Sequence, residues 1–94
     1  MKHKDVDGWW PFLKLCTKMK SPDEFKHFFD LFLTIEEKEV IGKRFLIIQA
    51  LKENKLTQRE IAKKYGVSIS QITRGSNAMK IIDKALKRAL EDLI

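Results

Sequence analysis

Residues 57–80 read TQREIAKKYGVSISQITRGSNAMK, and two helix starts stand inside this stretch. Thr57 is followed three residues later by Glu60, and Ser68 by Gln71. A hydroxyl side chain at a helix start accepts a hydrogen bond from the amide three residues on, while the acid or amide there reaches back, so each pair marks a helix N-terminus. The starts lie eleven residues apart, which leaves room for one short helix, a tight turn and a second helix. Gly66 falls where the first helix must end in a positive φ. Ala62 sits where the helices cross and a larger side chain would push them apart. Ile61, Val67, Ile69 and Ile72 are expected to supply the apolar core that fixes the crossing. The stretch therefore predicts a helix-turn-helix.

The charge of the chain points to the same place. Its 19 Lys and Arg exceed its 13 Asp and Glu by six, and four of those six fall in residues 57–80, where Arg59, Lys63, Lys64, Arg74 and Lys80 face Glu60 alone. A localised basic surface is the footprint expected for a nucleic acid or an anionic membrane.

Outward from this stretch, two further helix starts appear at Ser21/Glu24 and Thr34/Glu37. Pro22 has the φ favoured at a first helical position, and Phe25, Phe28, Phe29 and Phe32 then share one face. Before them, Trp9, Phe12, Leu13, Cys16 and Met19 repeat at three and four residues and define a first helix from the region of Gly8 to Pro11. The third helix should run from Ile35 to about Glu53, ending at Asn54 as a left-handed cap. Its Val40, Ile41, Phe45, Leu46, Ile47, Ile48, Ala50 and Leu51 spread over most of the circumference. A chain of 94 residues does not easily bury such a helix alone, so a second copy is the simpler cover. After Asp83, the run Ala85, Leu86, Ala89, Leu90 and Leu93, preceded by Ile82, gives a sixth, amphipathic helix. The expected organisation is one all-α domain over 1–94: a flexible arm at 1–7, dimerisation helices at 8–56, the helix-turn-helix at 57–80 and a C-terminal helix at 81–94.

Other classes are disfavoured. Four Gly and two Pro leave little room for a hairpin-rich fold, and one Cys excludes an intramolecular disulfide framework. Cys16, at core spacing, reads as inert, and His3 and His27 do not supply a metal site. No apolar run approaches the roughly 18 residues of a spanning helix, and Lys2 and Lys4 precede a polar segment, not a signal sequence, so a cytoplasmic protein without membrane contact is expected. Paired carboxylates, a Cys/His arrangement and a phosphate loop are not visible, which argues against an enzyme. Trp9 and Trp10 read as packing residues.

In a helix-turn-helix the second helix enters the major groove, with its N-terminal side chains at base edges. Ile69, Ser70 and Thr73 are therefore candidates for base-edge or water-mediated contact. Arg59 can reach a guanine or a phosphate, and Gln58, Asn77 and Lys80 fit phosphate contacts. One recognition helix spans too few base pairs for specificity, so a dimer with its two recognition helices about 34 Å apart is expected. Two residues exceed what the motif needs. Gly75 inside the recognition helix costs roughly 1 kcal/mol relative to Ala, which points to a close approach there. Arg44 lies in the apolar third helix, either snorkelling to water or paired with Arg74 around a flat ring and a carboxylate.

The segment LTQREIAKKYGVSISQITRGSNAMK, residues 56–80, resembles the DNA-binding half of the bacterial tryptophan repressor family, most specifically in ITRGSNAMK at 72–80. The likeness continues through LFLT at 31–34 and the region of Gly42 to Arg44. It implies an intertwined six-helix homodimer that represses tryptophan biosynthesis or salvage genes by binding palindromic operator DNA when L-tryptophan, a corepressor and not a substrate, is bound. It also implies an effector set of Leu31, Leu33, Thr34, Arg44, Arg74, Gly75 and Ala78: the indole lies between the arginines, Arg74 meets the carboxylate, the carbonyls of Leu31 and Leu33 receive the ammonium, Thr34 lies beside the pocket, and Gly75 lets the ring approach. The DNA-binding set becomes Gln58, Arg59, Ala62, Ser68, Ile69, Ser70, Gln71, Thr73, Ser76, Asn77 and Lys80. The chain departs from the family pattern at Ala78, in place of a serine, and at Gln71, in place of a smaller hydroxyl residue. Two alternatives stand beside this reading: a helical dimerisation or protein-interaction module, and a DNA-binding regulator independent of tryptophan.

Overall fold

Six helices follow one another in a computed structural model that describes residues 6–93: α1 (Trp9–Cys16), α2 (Pro22–Phe32), α3 (Ile35–Glu53), α4 (Gln58–Tyr65), α5 (Ile69–Ile81) and α6 (Lys84–Leu93). There is no strand among the described residues. Of the arm expected at 1–7, residues 1–5 lie outside the described residues, and Val6 and Asp7 precede α1. The chain divides between Ile35 and Glu36 into two units.

In the first unit, Ser21 Oγ accepts from the Glu24 amide at 3.2 Å. Glu24 Oε1 in turn accepts from the Lys20 N–H at 2.8 Å, one residue further back than the expected reciprocal bond to Ser21. The phenylalanines of α2 face α1 as their spacing predicts. The Phe12 ring lies 5.5 Å from Phe28 and 5.0 Å, edge-on, from Phe32, while Trp9 stacks on Phe12 at 5.6 Å. Such rings contribute dispersion and quadrupole attraction beyond the area they bury. The first helix is shorter than its apolar repeat suggests. It ends at Cys16, because Thr17 Oγ1 donates to the Lys14 carbonyl at 2.7 Å and the next two amides bond three residues back instead of four. A hydroxyl that takes a backbone carbonyl competes with helix continuation, and Met19 falls outside the helix.

In the second unit α3 has the expected limits, and Asn54 at φ 56 turns the chain out of it. Asparagine tolerates this left-handed conformation better than most side chains. The core is Ile47 and Ala50 of α3, Ile61 of α4, Val67 of the α4–α5 connection and Ile72 of α5, flanked by Leu51, Leu56, Ala62 and Tyr65. Ile69 is a correction to the expected core: it is 48% exposed, because as the first residue of α5 it stands past the rim of this cluster. α3 keeps a large apolar surface in the single chain, with Val40, Ile41 and Phe45 all at least half exposed. α6 is opened by Asp83, whose Oδ1 accepts from the Leu86 amide at 2.8 Å.

Candidate nucleic-acid interface

The α4–α5 pair is fixed at both helix starts and at the turn between them. Thr57 Oγ1 accepts from the Glu60 amide at 3.1 Å, and Glu60 Oε1 accepts from the Thr57 amide at 2.8 Å. Hydrogen bonds to the carboxylate from the Thr57 backbone N–H, the larger effect, and from the Thr57 side chain favour its ionised form and hold the Glu60 carboxyl below its ordinary range. At the far end of α4, Gly66 takes φ 64 and ψ 41, and its N–H and that of Val67 both reach the Ala62 carbonyl. A side chain in that conformation would clash with its own backbone, which is why glycine stands there. α5 then opens with the same reciprocal cap: Ser68 Oγ accepts from the Gln71 amide at 3.1 Å and Gln71 Oε1 from the Ser68 amide at 2.8 Å.

With its start fixed, α5 has two distinct faces. Ile72 and Gly75 are buried, whereas Ser70, Thr73, Asn77 and Lys80 are exposed at helical spacing and form one outward stripe. Ile69 and Ser70 stand exposed at its N-terminus, and Gln58 and Arg59 are exposed at the start of α4. Ser68 is exposed, while Gln71 and Ser76 are half-buried. Ala62 is half-buried and packs against the core, so of the expected DNA-binding residues it is the one engaged most clearly in helix packing. Lys63 and Lys64, outside the expected set, are also exposed on α4, with Lys64 Nζ 5.4 Å from the Tyr65 ring centroid.

The close approach expected at Gly75 is made by the chain itself. A Cβ on Gly75 would lie 3.1 Å from Ile47 Cγ2 and 3.8 Å from Leu51 Cδ1, so α5 packs on α3 through its glycine. The sequence places Ile47 among the apolar residues of the third helix but does not name it as the neighbour of Gly75, because the two lie on different helices and only packing brings them together. Arg44, half-buried, precedes Ile47 by three residues and so shares its face of α3, while exposed Arg74 immediately precedes Gly75. Half-buried Ala78 lies one turn beyond Gly75 on α5. Leu31, Leu33 and Thr34, at the end of α2 and the start of α3, belong to the first unit; Leu31 and Thr34 are exposed and Leu33 half-buried.

A family model described as Trp repressor protein matches residues 7–94. The chain belongs to the Trp repressor family. It is 60% identical over 92 residues to a Trp operon repressor homolog of Chlamydia caviae, covering 98% of this chain and 91% of that protein. A homolog of the same description in Chlamydia trachomatis serovar D is 50% identical over 91 residues, covering 97% of each chain. One in Haemophilus influenzae is 31% identical over 80 residues, covering 85% of this chain and 79% of the other. Membership of the Trp repressor family makes the chain a transcriptional repressor and not an enzyme. Among the described residues, no cluster of His, Cys, Asp and Glu is placed to hold a metal ion, and no helix is long and apolar enough to cross a membrane.

Proposed function

We propose that this repressor binds palindromic operator DNA as a homodimer in response to L-tryptophan, and that it controls tryptophan biosynthesis or salvage genes. The observation that carries the reading is the two-faced α5 helix. Its buried side is anchored on α3 through Ile72 and Gly75, and its polar stripe of Ser70, Thr73, Asn77 and Lys80 faces outward from a segment holding most of the excess positive charge. In this reading α4 and α5 form a helix-turn-helix with α5 in the major groove. Ile69, Ser70 and Thr73 meet base edges, and Gln58, Asn77 and Lys80 meet phosphates, which position the protein without reading sequence. Homodimerisation is supported by the exposed apolar surface of α3 at Val40, Ile41 and Phe45. A cytoplasmic location goes with operator binding.

The effector reading rests on Arg44, three residues before Ile47 on α3, and Arg74, immediately before Gly75 on α5. Planar guanidiniums suit both faces of an indole, and one can fork onto a carboxylate. Ala78 offers no side-chain donor or acceptor; the family resemblance implies that the carbonyls of Leu31 and Leu33 receive the ammonium, with Thr34 beside the pocket. L-tryptophan then acts by binding the groove-matching arrangement of the recognition helices more tightly than the other arrangement, the condition any ligand must meet to shift an equilibrium.

Two substitutions separate these roles. Arg74→Ala should weaken both L-tryptophan and DNA binding, whereas Lys80→Ala should weaken DNA binding alone and lower the slope of log affinity against log salt by about 0.9. Equal effects of both changes on L-tryptophan affinity, by calorimetry, would contradict the assignment. Salt-insensitive or absent DNA binding by a stable dimer would favour an interaction module instead.

A further inference from the structure

We propose that Gln71 is a specificity-determining residue that acts toward DNA as a hydrogen-bond donor and selects a guanine in each operator half-site. The inference rests on the DNA-binding reading above and deepens it.

Gln71 is the third residue of α5, at the helix end that enters the groove in the reading above. Its side-chain oxygen is already in use: Oε1 accepts from the Ser68 amide at 2.8 Å. The partner is an N–H, so the atom facing it must be the carbonyl oxygen, and the amide nitrogen with its two N–H groups is left for other partners. The reciprocal bond from the Gln71 amide to Ser68 Oγ at 3.1 Å holds the backbone half of the same cap. A free glutamine pairs with adenine by accepting from N6 and donating to N7; here the cap commits one of the oxygen's two lone pairs to Ser68 and disfavours that pairing, while the donors are unaffected. Acting through its donors, Gln71 suits guanine, whose major-groove edge presents two acceptors, N7 and O6. It opposes adenine, which sets an N6–H donor beside N7.

The other cap of the motif supports this assignment. Glu60 occupies the same third position of α4 and makes the same pair of bonds, but a carboxylate has no proton to give and would repel phosphates. On α5 the chain keeps the cap and replaces the anion with a neutral donor.

The test compares the wild-type chain with Gln71→Glu, which retains the oxygen that caps Ser68 and removes both donors. Each protein is used with L-tryptophan to select duplexes from a randomised palindromic library, and the selected site is remade with 7-deazaguanine at single positions. Gln71→Glu should unfold at or above the wild-type midpoint at pH 7, as the Glu60 cap implies, yet lose the preference for guanine at one base pair per half-site. Removing N7 there should weaken wild-type binding about tenfold, the order of one base-edge contact, and leave the variant unaffected. A uniform loss of affinity with the guanine preference intact would overturn the proposal in favour of a phosphate contact, as would wild-type binding indifferent to 7-deazaguanine at every position. Absence of any salt-sensitive DNA binding by the wild type would overturn the proposal together with the reading beneath it.

Discussion

Gly75 and Ile47 hold α5 against α3: a Cβ on Gly75 would lie 3.1 Å from Ile47 Cγ2, and Ile47 is only 1% exposed. The methyl belongs to a β-branched side chain on a helix, where χ1 has little choice of rotamer. Neither partner yields easily, so this contact sets the position of α5 relative to α3.

Gly75→Ala should therefore destabilise the protein despite improving helix propensity. The propensity gain is about 1 kcal/mol, whereas overpacking a filled core typically costs about 1–3 kcal/mol. Combining it with Ile47→Ala, which removes the obstructing methyl but leaves a cavity, should cost less than the sum of the two single changes. Chemical denaturation of the four proteins measures this; strict additivity would mean that Gly75 and Ile47 do not press on each other.

The Thr57/Glu60 cap should be sensitive to acid. The folded-state Glu60 pKa is lowered by its bonds from Thr57, so the unfolded chain takes up this proton first as pH falls. The stabilisation is complete above the ordinary carboxylate pKa, about 4.3, and disappears as pH drops through the lower folded-state value. Glu60→Gln keeps a side-chain acceptor without the charge. The wild-type advantage in unfolding midpoint over this variant should be present at pH 7 and shrink toward pH 3; an advantage that grew on acidification would contradict the sign of the shift.

The α3 surface at Val40, Ile41 and Phe45 makes dimerisation testable. Phe45 is 50% exposed in the single chain, and Phe45→Glu places a charge in the proposed interface, where an unpaired buried charge is strongly disfavoured. Sedimentation should show a dimer for the wild type and a shift toward monomer for the variant at equal concentration. An unchanged dimer would place the interface elsewhere.

What was legible in the sequence was local. The caps at Thr57 and Ser68, the positive φ at Gly66 and the left-handed Asn54 each arise from a few neighbouring residues, and each appears in the structure where the residues put it. The limits of α3 followed from the same signals. Errors arose where a local pattern met a competing bond or a tertiary position. Met19 continued the apolar repeat of α1, but the Thr17 hydroxyl took the Lys14 carbonyl and ended the helix. Ile69 looked like a core residue by type, yet its place at the first turn of α5 leaves it exposed. Gly75 announced a close approach without naming the neighbour, because the partner, Ile47, lies on another helix and only packing brings them together. A pairing of Arg44 with Arg74 stood in the sequence only as an alternative to a snorkelling Arg44, since no periodicity links residues thirty positions apart, and the family resemblance is what favours it.

The most direct test of the central claim is the affinity of the protein for fluorescently labelled palindromic operator DNA at moderate salt, with and without L-tryptophan. A label on the DNA is needed because Trp9 and Trp10 dominate the intrinsic emission. The account predicts that L-tryptophan tightens binding by about 5–150-fold, the usual span of allosteric coupling. Equal affinity with and without L-tryptophan would contradict it, leaving a DNA-binding repressor in which Arg44 and Arg74 serve no effector.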